Sequence, residues 1–150
     1  MGRMFALPLD AISVTNDPDQ DIIEMVNGSG ATAILHAIEL SSSVTTDEVV
    51  RLRLCRRSTT GSGGTAATEV ALDGDSTTIS VAVNILVTTP GTIGSILKGW
   101  QWHQLVPFQY VPIPEDRIII PPSGRLCLNL QTAVAATRTW SGYAVWEELS

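Results

Sequence analysis

The sequence predicts an all-β fold, an antiparallel sandwich or barrel made of short strands with little helix. Apolar and polar residues alternate with a period of two along most of the chain, while helical spacing is almost absent. Turn-forming clusters of Gly, Pro, Asn and Asp interrupt these alternating runs at short intervals. Since 150 residues are an ordinary length for one domain, we expect residues 1–150 to form a single β-sandwich.

The first strands follow from short runs and one long one. Residues 4–7, 12–14 and 22–26 are short strand candidates, and Asn27-Gly28 predicts either a hairpin or a four-residue loop. In the longer run 31–40, one face carries Ile34, His36, Ile38 and Leu40. The other face of this run is also mostly apolar, which predicts a central strand covered on both sides.

The middle of the chain has the clearest sidedness. Within residues 48–57, Val50, Leu52 and Leu54 alternate with polar residues, so one face enters a core while the other carries arginines. A single helical turn is predicted at Thr45–Glu48. A short strand at 69–72 and a turn at 73–75 precede the run 77–87, whose inward residues are predicted to be Ile79, Val81, Val83, Ile85 and Val87.

Three further strands complete the chain. Residues 116–120 end at Pro121 and Pro122, which lack the backbone donors that a central ladder needs. After Gly124, the run 124–131 buries Leu126, Leu128 and Leu130. The last run, 138–149, places Trp140, Gly142, Ala144 and Trp146 on one face.

Composition excludes several classes of function. The chain is 44% hydrophobic and 16% charged, which argues against disorder and favours a surface covered by partners, as in an oligomer. A net charge of -6 repels phosphate backbones, so we expect no nucleic-acid partner. No apolar run approaches the roughly 18 residues of a membrane span, and no signal peptide or myristoylation motif is recognised. We therefore expect a protein made in a cytoplasm, with no membrane partner.

The stretch 51–70 resembles a phosphate site only superficially. Gly61, Gly63 and Gly64 lack the spacing of a P-loop, no lysine follows them, and residues 65–72 do not predict the helix that a dinucleotide fingerprint opens. The small polar residues of 58–68 instead predict a mobile surface loop.

Other catalytic and metal motifs are also missing, and we expect no enzyme, no metal and no cofactor. The sequence has no G-x-S-x-G, and its two histidines are His36 and His103. His36 and Glu39 are predicted on opposite strand faces, which disfavours a shared metal. Cys55 and Cys127 lack C-x-x-C spacing, so reduced thiols are expected, although a disulfide or an interfacial position stays open.

The segment 99–117 concentrates the aromatic residues of the chain. It contains Trp100, Trp102, His103, Phe108 and Tyr110. Such residues serve in core packing, in subunit or capsid interfaces and in carbohydrate platforms, because they combine large rigid faces with a polar tip. All three interpretations are open at this stage.

Three stretches resemble jelly-roll virion proteins of tailed bacteriophages, most of all capsid decoration (cement) proteins. They are "VVRLRLCRR" followed by "STTGSGGTAAT", then "PEDRIIIPPSGRLCLNL", and the terminal "SGYAVWEEL". The resemblance implies a jelly roll similar to tumour-necrosis-factor-like sandwiches, about eight strands, with residues 1–20 as an N-terminal arm. It also implies a homotrimer that strengthens the capsid surface of a virion by binding the major capsid protein, without chemistry.

The interface candidates follow from this resemblance and from the exposed faces of the strands. They are Arg51, Arg53, Arg57, Trp100, Trp102, His103, Phe108 and Tyr110. Two alternatives remain: a tail, baseplate or fibre component with a glycan platform at Trp100, Trp102 and Tyr110, and a cupin-like metalloenzyme on the same scaffold.

Overall fold

The computed structural model describes residues 2–74 and 80–149 and contains two antiparallel sheets packed face to face. Nearly all regular structure is β, so the predicted all-β sandwich is confirmed. The predicted inward position of Ile79 and the end of the predicted turn at 73–75 lie outside the described residues.

Twelve strands are present in the described residues, and eight of them have six or more residues. They are β1 (Arg3–Val14), β2 (Gln20–Asn27), β3 (Thr32–Ser42), β4 (Val49–Arg57), β5 (Thr65–Ala66), β6 (Val70–Ala71), β7 (Val81–Val87), β8 (Ile93–His103), β9 (Phe108–Tyr110), β10 (Ile118–Ile120), β11 (Arg125–Leu130) and β12 (Arg138–Leu149). The helical turn described is a 3-10 turn at Pro114–Asp116. The turn expected at Thr45–Glu48 is not helical.

The strand order is that of a jelly roll. The first sheet runs β10-β3-β12-β1-β6, with β9 also pairing β3, and the second runs β5-β7-β2-β11-β4-β8. With β9 and β10 counted together as the sixth of eight strands, the pairing is 1-8-3-6 in one sheet and 2-7-4-5 in the other. The segment that contains β5, β6 and β7 extends the edges next to β1 and β2.

The core lies between the two sheets and is anchored by large rings. Trp140, Trp146 and Phe5 are fully buried, and the rings of Phe5 and Trp146 stack with centroids 6.1 Å apart. The predicted inward leucines of β4 and β11 lie in the core as expected, and so do Val81 and Val83 of β7. Val87, also predicted to face inward, is buried outside this core, next to Gly61 and Gly64. Ile85 and Leu86 both pack partly buried against the core, and the positive φ of Leu86 (55°) interrupts the alternation before Val87.

The N-terminal segment is part of the first sheet and does not form a free arm. The two short runs predicted at 4–7 and 12–14 are one strand, β1, which lies between β12 and β6. An irregularity between Leu9 and Ile12 separates them, and Ala11 there has a φ of 53°. This irregularity explains why the sequence pattern breaks in mid-strand.

In strand β3, the residues that face the core differ from the predicted ones. Its register with β12 shifts opposite Val145 and Trp146, and the buried residues are Leu35, Ile38 and Leu40 with Ala33. Ile34 and His36, predicted on the same face as Ile38, are only partly buried. Because one extra residue reverses the alternation, His36 and Glu39 are not placed on opposite faces as the sequence predicted.

The glycine- and proline-marked connections cross between the sheets. The Asn27–Gly30 turn joins β2 of the second sheet to β3 of the first, so it is not a hairpin. The turn at Pro121–Gly124 likewise takes β10 to β11. Asn27 links both crossings, since its Nδ2 donates hydrogen bonds to the carbonyl oxygens of Ala31 (2.8 Å) and Ile120 (3.0 Å).

Candidate interaction surface

Strand β8 forms one edge of the second sheet and is the most exposed long strand of the described chain. It pairs with β4 along one side only. Trp102 is its one buried residue, and Ile93, Ile96 and Leu97 are exposed. A long edge strand with unpaired N–H and C=O groups and apolar side chains is a ready template for association.

A shallow groove of about 310 Å³ lies where β8 meets β4. Its lining includes the predicted interface residues Arg51, Arg53 and Trp100, together with Ile96 and Gln101. The structure therefore brings together the two arginines of β4 and Trp100, which the sequence had singled out for a different reason. We call this region the β4–β8 groove.

The two arginines of the groove differ in exposure and in their contacts within the chain. Arg51 is exposed and has no ion-pair partner among the residues that the structure describes. Arg53 is partly buried and donates through Nε to Asn129 Oδ1 (2.8 Å) and through Nη2 to Asp19 Oδ1 (3.3 Å). Arg51 is thus the better placed of the two to meet a carboxylate on a partner.

Arg57 lies away from the surface. It is buried and donates to Asp21 Oδ1 (2.7 Å) and to the Gly91 carbonyl oxygen (2.9 Å). Burial alone would lower the pKa of Arg57, but the hydrogen bond and negative charge of Asp21 outweigh it and raise the pKa. An arginine held in this way stabilises the chain internally and offers no surface to a partner.

The aromatic segment packs mainly into the core. Trp102, Phe108 and Tyr110 are buried, and the Trp102 ring meets Trp140 edge to face with centroids 4.9 Å apart. Trp100 is half-buried against Phe108 and Tyr110, with centroid distances of 5.1 and 5.4 Å. Burial of these faces leaves too little surface for a glycan platform that spans Trp100, Trp102 and Tyr110.

The two histidines lie in different sheets. His36 of β3 lies 3.2 Å from Glu147 Oε2, measured from Nε2, and Glu39 accepts a hydrogen bond from Gln109 instead. His103, at the end of β8, is exposed, and its Nδ1 lies 3.0 Å from Asp47 Oδ2. Each histidine therefore has a local carboxylate partner.

A buried polar cluster, which the sequence did not predict, lies beneath residues 58–64. It contains Asp21 and Glu24 of β2, Arg57, and the free cysteines Cys55 and Cys127, which are directly opposite each other on β4 and β11. Burial raises the pKa of both thiols. The available signal was the presence of two acidic residues within the apolar run of β2.

Residues 58–64, the first part of the mobile loop predicted over 58–68, cover this cluster and lie packed against the sheet. The Gly61 amide donates to Glu24 Oε2 (2.7 Å), and Arg125 Nε donates to Thr60 Oγ1 (2.8 Å). Gly61 approaches Val87 and Glu24 so closely that a Cβ would collide with the Val87 side chain. The glycines in this segment therefore permit close packing against the sheet.

Within the described part of the chain, no helix is long and apolar enough to cross a membrane. Comparison with known proteins found no matching family model, no matching curated protein and no matching solved structure.

Proposed function

We propose that this chain is a non-enzymatic structural protein of a virion, which self-associates and acts as a capsid decoration (cement) protein of a tailed bacteriophage. Its partners are further copies of itself, as a homotrimer, and the major capsid protein. The phage assignment depends on the sequence resemblance, and the self-association depends on the geometry of β8.

The exposed edge strand β8 is the observation that carries the proposal. Monomeric β proteins protect long edges with charges, prolines or covering segments. The only charged residue within β8 is Lys98, and Ile96 remains 58% exposed beside the β4–β8 groove. Pairing of this edge with a second subunit would satisfy its backbone groups and cover its apolar side chains.

Charge complementarity supports the same surface. The chain carries 15 acidic and nine basic residues, so identical or similarly acidic partners offer many carboxylates. Arg51 in the groove is an exposed donor for bidentate carboxylate recognition. Binding to several neighbouring capsid subunits at once would raise the avidity of a trimer without any catalytic group.

Self-association is tested by light scattering coupled to gel filtration. The wild-type chain is expected at three times the 16.0-kDa chain mass. Ile96→Lys should shift the mass toward a monomer, because a charged residue would be desolvated at the edge. Ile113→Lys is the matched control, since Ile113 is 62% exposed but lies outside the strands, and it should stay assembled.

The location is tested by immunogold labelling of phage particles that carry the gene. Label on the head supports a decoration protein, whereas label on the tail or fibres supports the alternative, a tail or baseplate component. A wild-type chain that is monomeric and absent from particles would overturn the proposal.

A further inference from the structure

In the buried cluster on the outer face of the second sheet, three side chains of metal-ligand type lie close enough together to share one ion. They are Asp21 and Glu24 on β2 and Cys127 on β11, where Cys127 lies directly opposite Glu24. One ligand atom from each lies within 4.8 Å of the other two, and all three residues are fully buried. Two carboxylates and a thiol are therefore buried close together. Burial of such groups costs free energy unless hydrogen bonds or opposite charges offset it.

One oxygen of this group has no partner. Asp21 Oδ1 accepts hydrogen bonds from Arg57 Nη2 (2.7 Å) and Asn129 Nδ2 (2.9 Å). Asp21 Oδ2 is buried and has no hydrogen-bond partner among the described residues. A buried carboxylate oxygen without a donor is costly, and it belongs to one of the three residues whose ligand-type atoms lie within 4.8 Å of one another.

The other polar groups hold the carboxylates in place. Glu24 Oε1 accepts from Asn84 Nδ2 (3.1 Å), and Glu24 Oε2 accepts from the Gly61 amide (2.7 Å). Hydrogen bonds that orient ligating carboxylates are a regular feature of metal sites. Here they come from β7, from the covering segment 58–64 and, for Asp21, from β4 and β11.

Charge balance favours a dication. Asp21 and Glu24 carry two negative charges, and Arg57 supplies one positive charge in the same cluster. If Cys127 is deprotonated on binding, three negative charges face Arg57 and the two positive charges of the ion. The buried cluster is then neutral.

We propose that Asp21, Glu24 and Cys127 bind a divalent transition metal ion, with Zn²⁺ as the preferred ion. A thiolate selects Zn²⁺ over the harder Mg²⁺ and Ca²⁺, and carboxylates complete its usual ligand types. With bond lengths of about 2.0–2.3 Å, ligand atoms lie roughly 3.5 Å apart, so a small contraction of the cluster suffices. The ion would tie β2 to β11 and, through Glu24, to residues 58–64.

Metal content of the untagged chain tests the site. After refolding in zinc and dialysis, mass spectrometry should find about one Zn²⁺ per chain, since a buried site loads as the chain folds. Cys127→Ser and Glu24→Gln should each lower zinc retention at least about tenfold. Cys55→Ser is the matched control, because Cys55 is an equally buried cysteine opposite Cys127 but lies outside the three-residue set, and it should retain zinc.

Refolding with Co²⁺ identifies the sulfur ligand. A thiolate-to-cobalt charge-transfer band is expected in the wild type and in Cys55→Ser, and it should be absent from Cys127→Ser. A wild-type chain that folds without retaining metal, or a Cys127→Ser variant that binds zinc as well as the wild type, would overturn the proposal.

If Cys127→Ser fails to fold, the wild type alone decides the question. Its melting temperature should fall when it is refolded in the presence of a chelator, and an unchanged melting temperature together with no cobalt band would refute the site. Ile96 is on β8, two strands from Cys127 with β4 between them, and it is not one of the three proposed ligands. Ile96→Lys should therefore retain zinc, which separates this proposal from the proposed assembly.

Discussion

Gly142 occupies a position at the centre of the first sheet where no side chain fits. It lies in the middle of β12, opposite Leu9 of β1 on one side and Leu40 of β3 on the other. Its φ is 154°, and a Cβ at this position would collide with the Glu39 carbonyl oxygen. Since backbone cannot move aside here without breaking the ladder, only glycine fits.

Gly142→Ala is therefore expected to lower the free energy of unfolding by more than about 1 kcal/mol. Gly30→Ala is the control, because no atom lies within 4 Å of the Cβ that it would add. Urea denaturation of both variants measures the difference. Equal stability of the two variants would show that the sheet tolerates a side chain at Gly142.

Glu48 supplies a pH-dependent contact at the start of β4. Its carboxylate accepts hydrogen bonds from the Ala135 amide and from Arg138 Nε, which joins the β11–β12 connection to β4. Burial raises the pKa of Glu48, but these hydrogen bonds and the charge of Arg138 outweigh it and lower the pKa below its ordinary value. The folded state therefore binds this proton less tightly than the unfolded state does.

A depressed pKa stabilises the fold above the unfolded value and loses this contribution as the pH falls through the folded value. Glu48→Gln should thus lower stability by roughly 1 kcal/mol at about pH 7, and by progressively less as the solution is acidified below about pH 4. Melting temperatures across this range measure the effect. The exposed Glu115→Gln is the control and should show little change at any pH.

At the scale of elements, strand β8 is held mainly by its hydrogen bonds to β4 and by one side chain. Trp102 is 3% exposed, packs on Trp140 and Phe108, and donates from Nε1 to the Val106 carbonyl oxygen (2.7 Å). The other residues of β8 are exposed apart from the half-buried Trp100. Trp102 therefore anchors the edge that we propose as the assembly surface.

Trp102→Ala should cost about 3–5 kcal/mol of stability, and hydrogen exchange should quicken most within β8. Leu97→Ala on the same strand should cost much less, because Leu97 is 37% exposed. Chemical denaturation and exchange mass spectrometry measure both effects. A uniform rise in exchange over both sheets would show that Trp102 supports the whole core and not β8 in particular.

At the scale of the whole molecule, the strand order accounts for the open edge at β8. In the jelly-roll order most connections pass from one sheet to the other, so neighbours in sequence are seldom neighbours in a sheet. The inserted strands β5, β6 and β7 extend the edge beside β1 and β2, at the opposite side from β8. Added strands thus cover the side of the second sheet next to β2, while the edge formed by β8 remains available for pairing.

Turn residues predicted where strands end, but not which sheet the next strand joins. Asn27-Gly28 and Pro121-Pro122 correctly predicted that strands end there. A turn signal does not state whether the next strand returns to the same sheet, and in both cases the chain crosses to the other one. Such crossings depend on packing between sheets, which local residue preferences do not encode.

The sequence alone determined the all-β class, most strand positions and the inward leucines of β4 and β11, because alternation is a local property of each strand. It also determined the exposure of Arg51. The burial of Arg57 and Trp102, and the meeting of Asp21, Glu24 and Cys127 beneath residues 58–64, became apparent from the folded chain alone. These outcomes depend on register shifts and on pairing between strands that are far apart in the sequence, such as β2 and β11, which no local pattern specifies.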